Sequence, residues 1–420
     1  MKIIVLGAGV TGVTSAWYLA QAGHEVILVD RQEQAGLETS FANGGQISVS
    51  HPEPWANPAA PAQILRWLGR EDAPLKFRPT ADVHQWWWGL QFLRECSAAR
   101  SRHNGEAIAR LAIYSRSELQ ALRSATGIEY NALTQGILHL HFDRAGISEA
   151  ERKARWLRGF GMQVHVLDRA GCLEVEPALA ECRDTLLGGL YAPEDESGDA
   201  YRFTDGLAAR CAKQGVELRF GTAVEALETA RGAMTGVRVC AGGASEVLTA
   251  DAYVLCLGSY SPLLARGIGE RLPIYPVKGY SATLALSEPE RAPRVSVTDE
   301  SHRVVCSRLG NRLRAAGTAE LNGYDLSLNP ARCRAILSRA QELFPGATAD
   351  PEPRFWAGLR PATPSNLPVI GRSRLSRLYF NTGHGTLGWT LACGSARALA
   401  DIVSGREPAV TFPFHGTAAG

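Results

Sequence analysis

Residues 1–12 read MKIIVLGAGVTG, and this stretch decides the fold. Ile3 to Leu6 is a short apolar run of the kind a buried parallel strand needs, and it leads straight into the glycines. Gly7, Gly9 and Gly12 have the G-x-G-x-x-G spacing, which makes a tight turn and brings backbone close to a phosphate. Val13 to Ala22 suits a helix, stopped by Gly23. Glu25 to Asp30 reads as a second strand, completing a βαβ unit. The helix start presents free N–H groups and the positive dipole end to an anion. Asp30 closes the second strand, where an acid accepts both ribose hydroxyls and disfavours a 2′-phosphate. The competing reading is a tight turn that binds nothing.

Working outward, 420 residues are long for one core, so two lobes are expected. The net charge is +2 and basic residues are interspersed with acids, which excludes an electrostatic footprint for nucleic acid and leaves a small molecule as the partner. Nine cysteines without a C-x-x-C pair argue against a disulfide framework and a zinc ribbon, and suit a reducing, cytoplasmic setting. The apolar start is too short for a signal peptide, and no apolar run reaches a membrane span.

Past Asp30 the pattern departs from a continued βαβαβ domain. Residues 38–61 are rich in Gly, Asn, Ser and Pro, and helices are expected at Ile64–Leu68 and Val83–Arg94. Strands are expected at Gly136–Phe142 and Gln163–Leu167, with a helix at Ser148–Phe160. A second α/β block comprises helix Phe203–Lys213 and strands Val216–Phe220 and Tyr253–Leu257. A third has strand Leu378–Asn381 and a helix running to about Val403. Between these blocks, Ser281–Leu286, Val304–Arg308 and Arg312–Ala316 read as antiparallel strands, followed by helix Arg332–Phe344. The fold class is therefore α/β with two domains. A discontinuous Rossmann-like nucleotide domain takes 1–49, 196–265 and 356–412, and a mixed, largely antiparallel-sheet substrate domain takes 50–195 and 266–355. Residues 413–420 form a tail.

Two further Gly-rich loops extend the nucleotide site. Thr39, Ser40, Asn43, Gly44, Gly45 and Gln46 follow the ribose-binding strand and can lay N–H groups along a flat cofactor, or form a surface turn. Gly383, His384, Gly385, Thr386, Leu387 and Gly388 lie between a strand and a helix. Two helix starts far apart in sequence suit a ligand with a pyrophosphate and a second electron-rich end, which favours FAD over NAD. Candidate FAD contacts are Gly7, Gly9, Val10, Thr11, Gly12, Asp30, Arg31, the two loops, Val224 and Gly258.

The segments GLETSFANGGQIS (36–48), VEPAL (175–179), LGSYS (257–261), YPVKGYS (275–281), GLRPATP (358–364), LPVIG (367–371) and NTGHGTLGWTLACGS (381–395) run in order along nearly the whole chain. Together with the opening turn they resemble the bacterial D-amino-acid dehydrogenase small-subunit family, whose wider relatives are flavin-dependent D-amino-acid, glycine and sarcosine oxidases. The resemblance implies non-covalent FAD and oxidative deamination of D-amino acids to 2-oxo acids and ammonia. Electrons would pass to a quinone-type respiratory acceptor. It also implies that Arg360 holds the substrate carboxylate, for which a planar, bidentate guanidinium is well shaped; the alternative is a structural arginine in a Pro-bounded turn. Open alternatives are an oxygen-using glycine or sarcosine type, a D-proline or hydroxyproline type, and a non-catalytic flavin subunit.

Tyr280 is expected to contact substrate from the antiparallel sheet, and Lys278 either faces the flavin edge or is salt-bridged. His384 either meets a flavin carbonyl or caps its helix. His139 and His141 share a strand face, which without a third ligand reads as polar surface and no metal site. The loop Ser50-His51-Pro52-Glu53-Pro54-Trp55, the pair Ser365-Asn366 and the segment Gly198–Arg202 depart from the family's usual residues. His51, Tyr201 or Arg202 in the pocket would shift substrate range. Trp86-Trp87-Trp88 is read as core packing, with a patch touching peripheral membrane lipid on the cytoplasmic side, quinone or a partner as the alternative. Oligomeric state is left open.

Overall fold

The computed structural model describes residues 1–67, 75–182, 184–349 and 352–416. Strand Lys2–Leu6 lies inside a six-stranded sheet. Reading across, that sheet runs Val369–Arg372, Leu378–Thr382, Ala252–Leu255, Lys2–Leu6, Glu25–Val29 and Glu217–Arg219. All neighbours are parallel except the first pair. Ile3 to Leu6 are fully buried because both faces of the sheet are covered, which is why the run is continuously apolar. Ile3, Val5, Val26 and Leu28 pack with helices Val10–Gln21, Ala98–Thr126, Ala200–Lys213 and Gly388–Val403. Ile4, Leu6, Ile27 and Val29 face the antiparallel meander Thr222–Ala230, Ala233–Ala241 and Ala244–Leu248.

A second, nine-stranded sheet forms the other lobe. Its order is Arg354–Ala362, Tyr275–Ala285, Arg312–Leu321, Val304–Leu309, Ser296–Asp299, Ile137–His141, Gly188–Ala192 and His165–Asp168, with Leu75–Phe77 beside Arg312–Leu321. Its core is Leu138, Leu140, Val297, Ala315 and Leu284 against helix Pro330–Leu343. Arg354–Ala362, which the sequence reading assigned mostly to the nucleotide domain, pairs antiparallel with Tyr275–Ala285 along its whole length. It carries Arg360 out of the substrate sheet toward the nucleotide sheet.

The expected helix at Ile64–Leu68 is Ala60–Trp67; Leu68 lies outside the described residues. The tryptophan run divides: Trp88 is buried and its indole N–H donates to Ala362 O at 2.8 Å, whereas Trp86 and Trp87 are each 54% exposed. The start of the expected tail is not loose, because His415 N–H donates to Ile370 O and its ring packs on Phe380. No helix among the described residues is long and apolar enough to cross a membrane.

Candidate active site

One cavity of about 1150 Å³ runs between the two lobes, and most of the predicted residues line it. Its lining includes Gly7, Gly9, Val10 and Thr11 with Asp30 and Arg31. Gly7 has φ of +105°, and a Cβ there would sit 2.7 Å from Cys256 O. Gly12 does not line the cavity: its missing Cβ would lie 1.7 Å from Gly7 O, so it serves helix-to-turn packing rather than ligand contact. Helix Val10–Gln21 starts at Gly9 with no acid in its first turn, and its Val10 N–H donates to Ser40 Oγ at 3.0 Å. Asp30 accepts from Ala8 N at 2.6 Å and Gln32 N at 2.8 Å; burial raises its pKa, and these bonds pull it back. Arg31 pairs with Glu38 at 2.7 Å.

Thr39, Ser40, Asn43, Gly44, Gly45 and Gln46 line it too, with Val224 and Gly258. A Cβ on Gly44 would meet Val305 at 2.5 Å, and Gly45 has φ of +73°, so both glycines are required by the turn. Gly383 through Gly388 line the same cavity, where helix Gly388–Val403 begins with no side-chain cap and no acidic first turn. Two helix starts without a neutralising acid therefore open on one cavity, which fits a ligand with two electron-rich regions.

His384 is buried, its Nε2 is 3.0 Å from Ser395 Oγ, and burial pushes its pKa down to about 3. In the unfolded chain the imidazole protonates near 6.5, so between 6.5 and about 3 the unfolded state binds the extra proton. Stability therefore falls as pH drops through that window, by about 1.4 kcal/mol per pH unit from this group. In denaturant melts, His384→Gln is expected to lose less stability than the parent between pH 6.5 and 4; parallel curves would refute this.

Arg360 is set by its strand. Leu359 O accepts from Thr39 Oγ1 at 2.8 Å and Ser259 Oγ at 3.0 Å, and Ala362 O accepts from Trp88, so the strand is tied on both sides of the arginine. The guanidinium lies over Gly279, where a Cβ would fall 2.3 Å from Nη1. Nη1 donates to Thr318 O at 2.9 Å. Burial lowers the pKa to about 10, which leaves the group charged at neutral pH. No carboxylate pairs with it among the described residues, so a cation lines the cavity uncompensated. Thr318, a β-branched residue held at φ of +57°, has a buried hydroxyl without a hydrogen-bond partner and lines the same cavity. Sequence reasoning missed Thr318, whose strained backbone has no signature in residue type.

Two expectations need correction, for Tyr280 and for Tyr201 with Arg202. Tyr280 lines the cavity, but its hydroxyl donates to Glu320 at 2.6 Å, outside the lining, and is not free for substrate. For Lys278 the salt-bridged alternative holds: it is buried against Asp325 at 2.9 Å and Ser327 O at 3.1 Å, away from the cavity. Tyr201 turns to Gln34 at 3.1 Å and Phe41 and does not line the cavity, nor does Arg202.

His51 does line it, within a cluster the sequence did not show. His139 is buried, and one ring nitrogen each of His51 and His139 lies with a Glu300 carboxylate oxygen, all within 4.8 Å of one another. The third ligand-type group comes from a neighbouring strand's turn. Lys153 Nζ already stands 2.9 Å from His51 Nδ1, so an internal ammonium fills the place of a cation. The charge of Lys153, then burial, holds His51 well below its usual pKa.

Residues 2–402 match the family described as FAD dependent oxidoreductase. The chain belongs to that family. It is 57% identical to a D-amino acid dehydrogenase of Dechloromonas aromatica over 99% of both chains. It is 51% identical to one of Paramagnetospirillum magneticum, over 98% of this chain and 97% of the relative. The fold is shared with glycine oxidase from Geobacillus kaustophilus, at 23% identity and a TM-score of 0.76, covering 98% of this chain and 96% of the other. The chain is thus an FAD-dependent oxidoreductase with the two-domain architecture of that family. The unacidified helix starts and the glycine cradle between them are a donor set that suits FAD.

Proposed function

We propose that this enzyme oxidises D-amino acids to 2-oxo acids and ammonia and delivers the electrons to a quinone-type acceptor. The observation that carries the reading is Arg360, a half-buried guanidinium on a cavity wall without a counter-charge among the described residues. FAD, held without a covalent bond by Gly7 to Thr11, Asp30, the 39–46 loop and Gly383 to Gly388, supplies the two-electron acceptor. Arg360 clamps the α-carboxylate through paired N–H donors, and Thr318 O holds the guanidinium flat over Gly279. That clamp fixes which face of the α-carbon is presented. His384, kept neutral, adds no competing positive charge at the helix start. The amine reacts as the free base, and water releases ammonia from the imino acid.

With D-alanine and a soluble quinone in the absence of oxygen, pyruvate, ammonia and quinol are expected in equal amounts. Stoichiometric peroxide in air, with quinone ignored, would favour the oxygen-using reading suggested by the glycine oxidase fold.

We assign the acceptor's approach to helix Val83–Glu95. Trp86, Trp87, Leu90 and Leu93 are exposed on it, while Phe92 of the same helix and Ile64 of Ala60–Trp67 line the cavity. An apolar outer face backed by a cavity wall suits peripheral contact with lipid, from which a quinone can enter. Trp86→Ser with Trp87→Ser is expected to cut flotation with anionic liposomes several-fold at unchanged flavin content; unaltered flotation would remove this assignment.

A further inference from the structure

One wall of the cavity holds charged groups that hydride removal does not need. Residues 50–53, strand Ile137–His141, helix Arg144–Arg158 and the turn at 300–303 bring together His51, Glu53, His139, Lys153, Glu300 and Arg303. Lys153 Nζ lies 3.1 Å from Glu53 Oε2, and Arg303 is paired with Glu300, whose other oxygen takes His139 Nδ1 at 2.9 Å. Two cations and two carboxylates therefore compensate one another. The histidine rings stack with centroids 5.5 Å apart.

What the wall has left is polar but neutral. An ammonium only donates, so the His51 Nδ1 that faces Lys153 accepts, and the ring proton sits on Nε2. Among the described residues nothing accepts from that N–H. Glu53 Oε2 is buried against Lys153 and offers the cavity no acceptor. One donor thus stands unmatched on the wall.

The wall also adjoins the cofactor loop. Gln46 Nε2 donates to Thr298 Oγ1 at 3.0 Å, and Thr298 is directly opposite His139 in the paired strands. Asp195 accepts from Val49 N and Ser50 N and takes Ser50 Oγ at 2.5 Å, which fixes the chain leading into His51.

We infer that this wall reads the substrate side chain and selects D-amino acids that end in a neutral hydrogen-bonding group, a hydroxyl or a carboxamide. The inference rests on the D-amino-acid reading above. An aliphatic side chain of the same shape would bury the His51 donor unsatisfied, and a charged one would upset the compensated pairs.

The test uses near-isosteric substrates on the purified holoenzyme, with anaerobic flavin reduction as the readout. D-Asparagine should exceed both D-leucine and D-aspartate in kcat/KM by tenfold or more, and D-threonine should exceed D-valine likewise. His51→Phe should bring the asparagine-to-leucine ratio near one, with the loss appearing in KM for the polar substrate. Equal values within each wild-type set, or a ratio unmoved by His51→Phe, would overturn the inference and leave the D-amino-acid reading standing. Failure of all these substrates and of D-alanine would instead overturn that reading.

Discussion

Arg360→Ala is expected to keep its yellow colour and lose turnover. Its backbone remains tied through Leu359 O and Ala362 O, so the strand and the cofactor loop stay in place while the guanidinium disappears. Removing one partner of a buried, hydrogen-bonded charge pair costs about 2–5 kcal/mol, which corresponds to roughly 30- to 5,000-fold in kcat/KM. Lysine in its place should recover only part of this, because a point charge cannot reproduce the paired donors. Kinetics unchanged by Arg360→Ala, with flavin content intact, would show that the carboxylate is held elsewhere.

Gly12→Ala is expected to act on the fold instead. The added Cβ would fall 1.7 Å from Gly7 O, a backbone atom that cannot swing aside, so helix Val10–Gln21 has to lift from its strand. Overpacking of this kind costs about 3 kcal/mol or more and disturbs the turn at the pyrophosphate end. The measurement is flavin-to-protein ratio with melting temperature, and both should fall sharply. Gly23→Ala is the contrast: φ is +84° but nothing lies within 4 Å, so about 1 kcal/mol and full flavin content are expected. Equal behaviour of the two variants would contradict the packing role.

The opening βαβ unit was legible because every local signal agreed: Ile3 to Leu6 are buried on both faces, and Gly7 adopts a positive φ. Helix Ala98–Thr126 was not legible, since much of its buried stripe is Gly105, Ala107, Ala109, Ala112 and Ser115, with few large apolar residues to mark a period. The meander at 222–248 carries its turns in Gly232 and Gly242-Gly243, but its strands are partly exposed and its apolar pattern is weak. At the site, the glycine loops, picked out by residue type, and Arg360, picked out by the family resemblance, all line the cavity. The orientation of Tyr280 could not be read, because Glu320 reaches it across a strand pairing with a register shift. The partners of His139 were hidden for the same reason: His51 and Glu300 meet it only after distant segments pair.

The central claim is that this cavity orients a D-amino acid for hydride loss. The direct measurement is the visible absorbance of the purified holoenzyme during anaerobic titration with D-alanine and then, on a fresh sample, L-alanine. Bleaching by the D-enantiomer alone is predicted. Bleaching by the L-enantiomer alone, or by neither amino acid nor any other D-amino acid offered, would contradict the account.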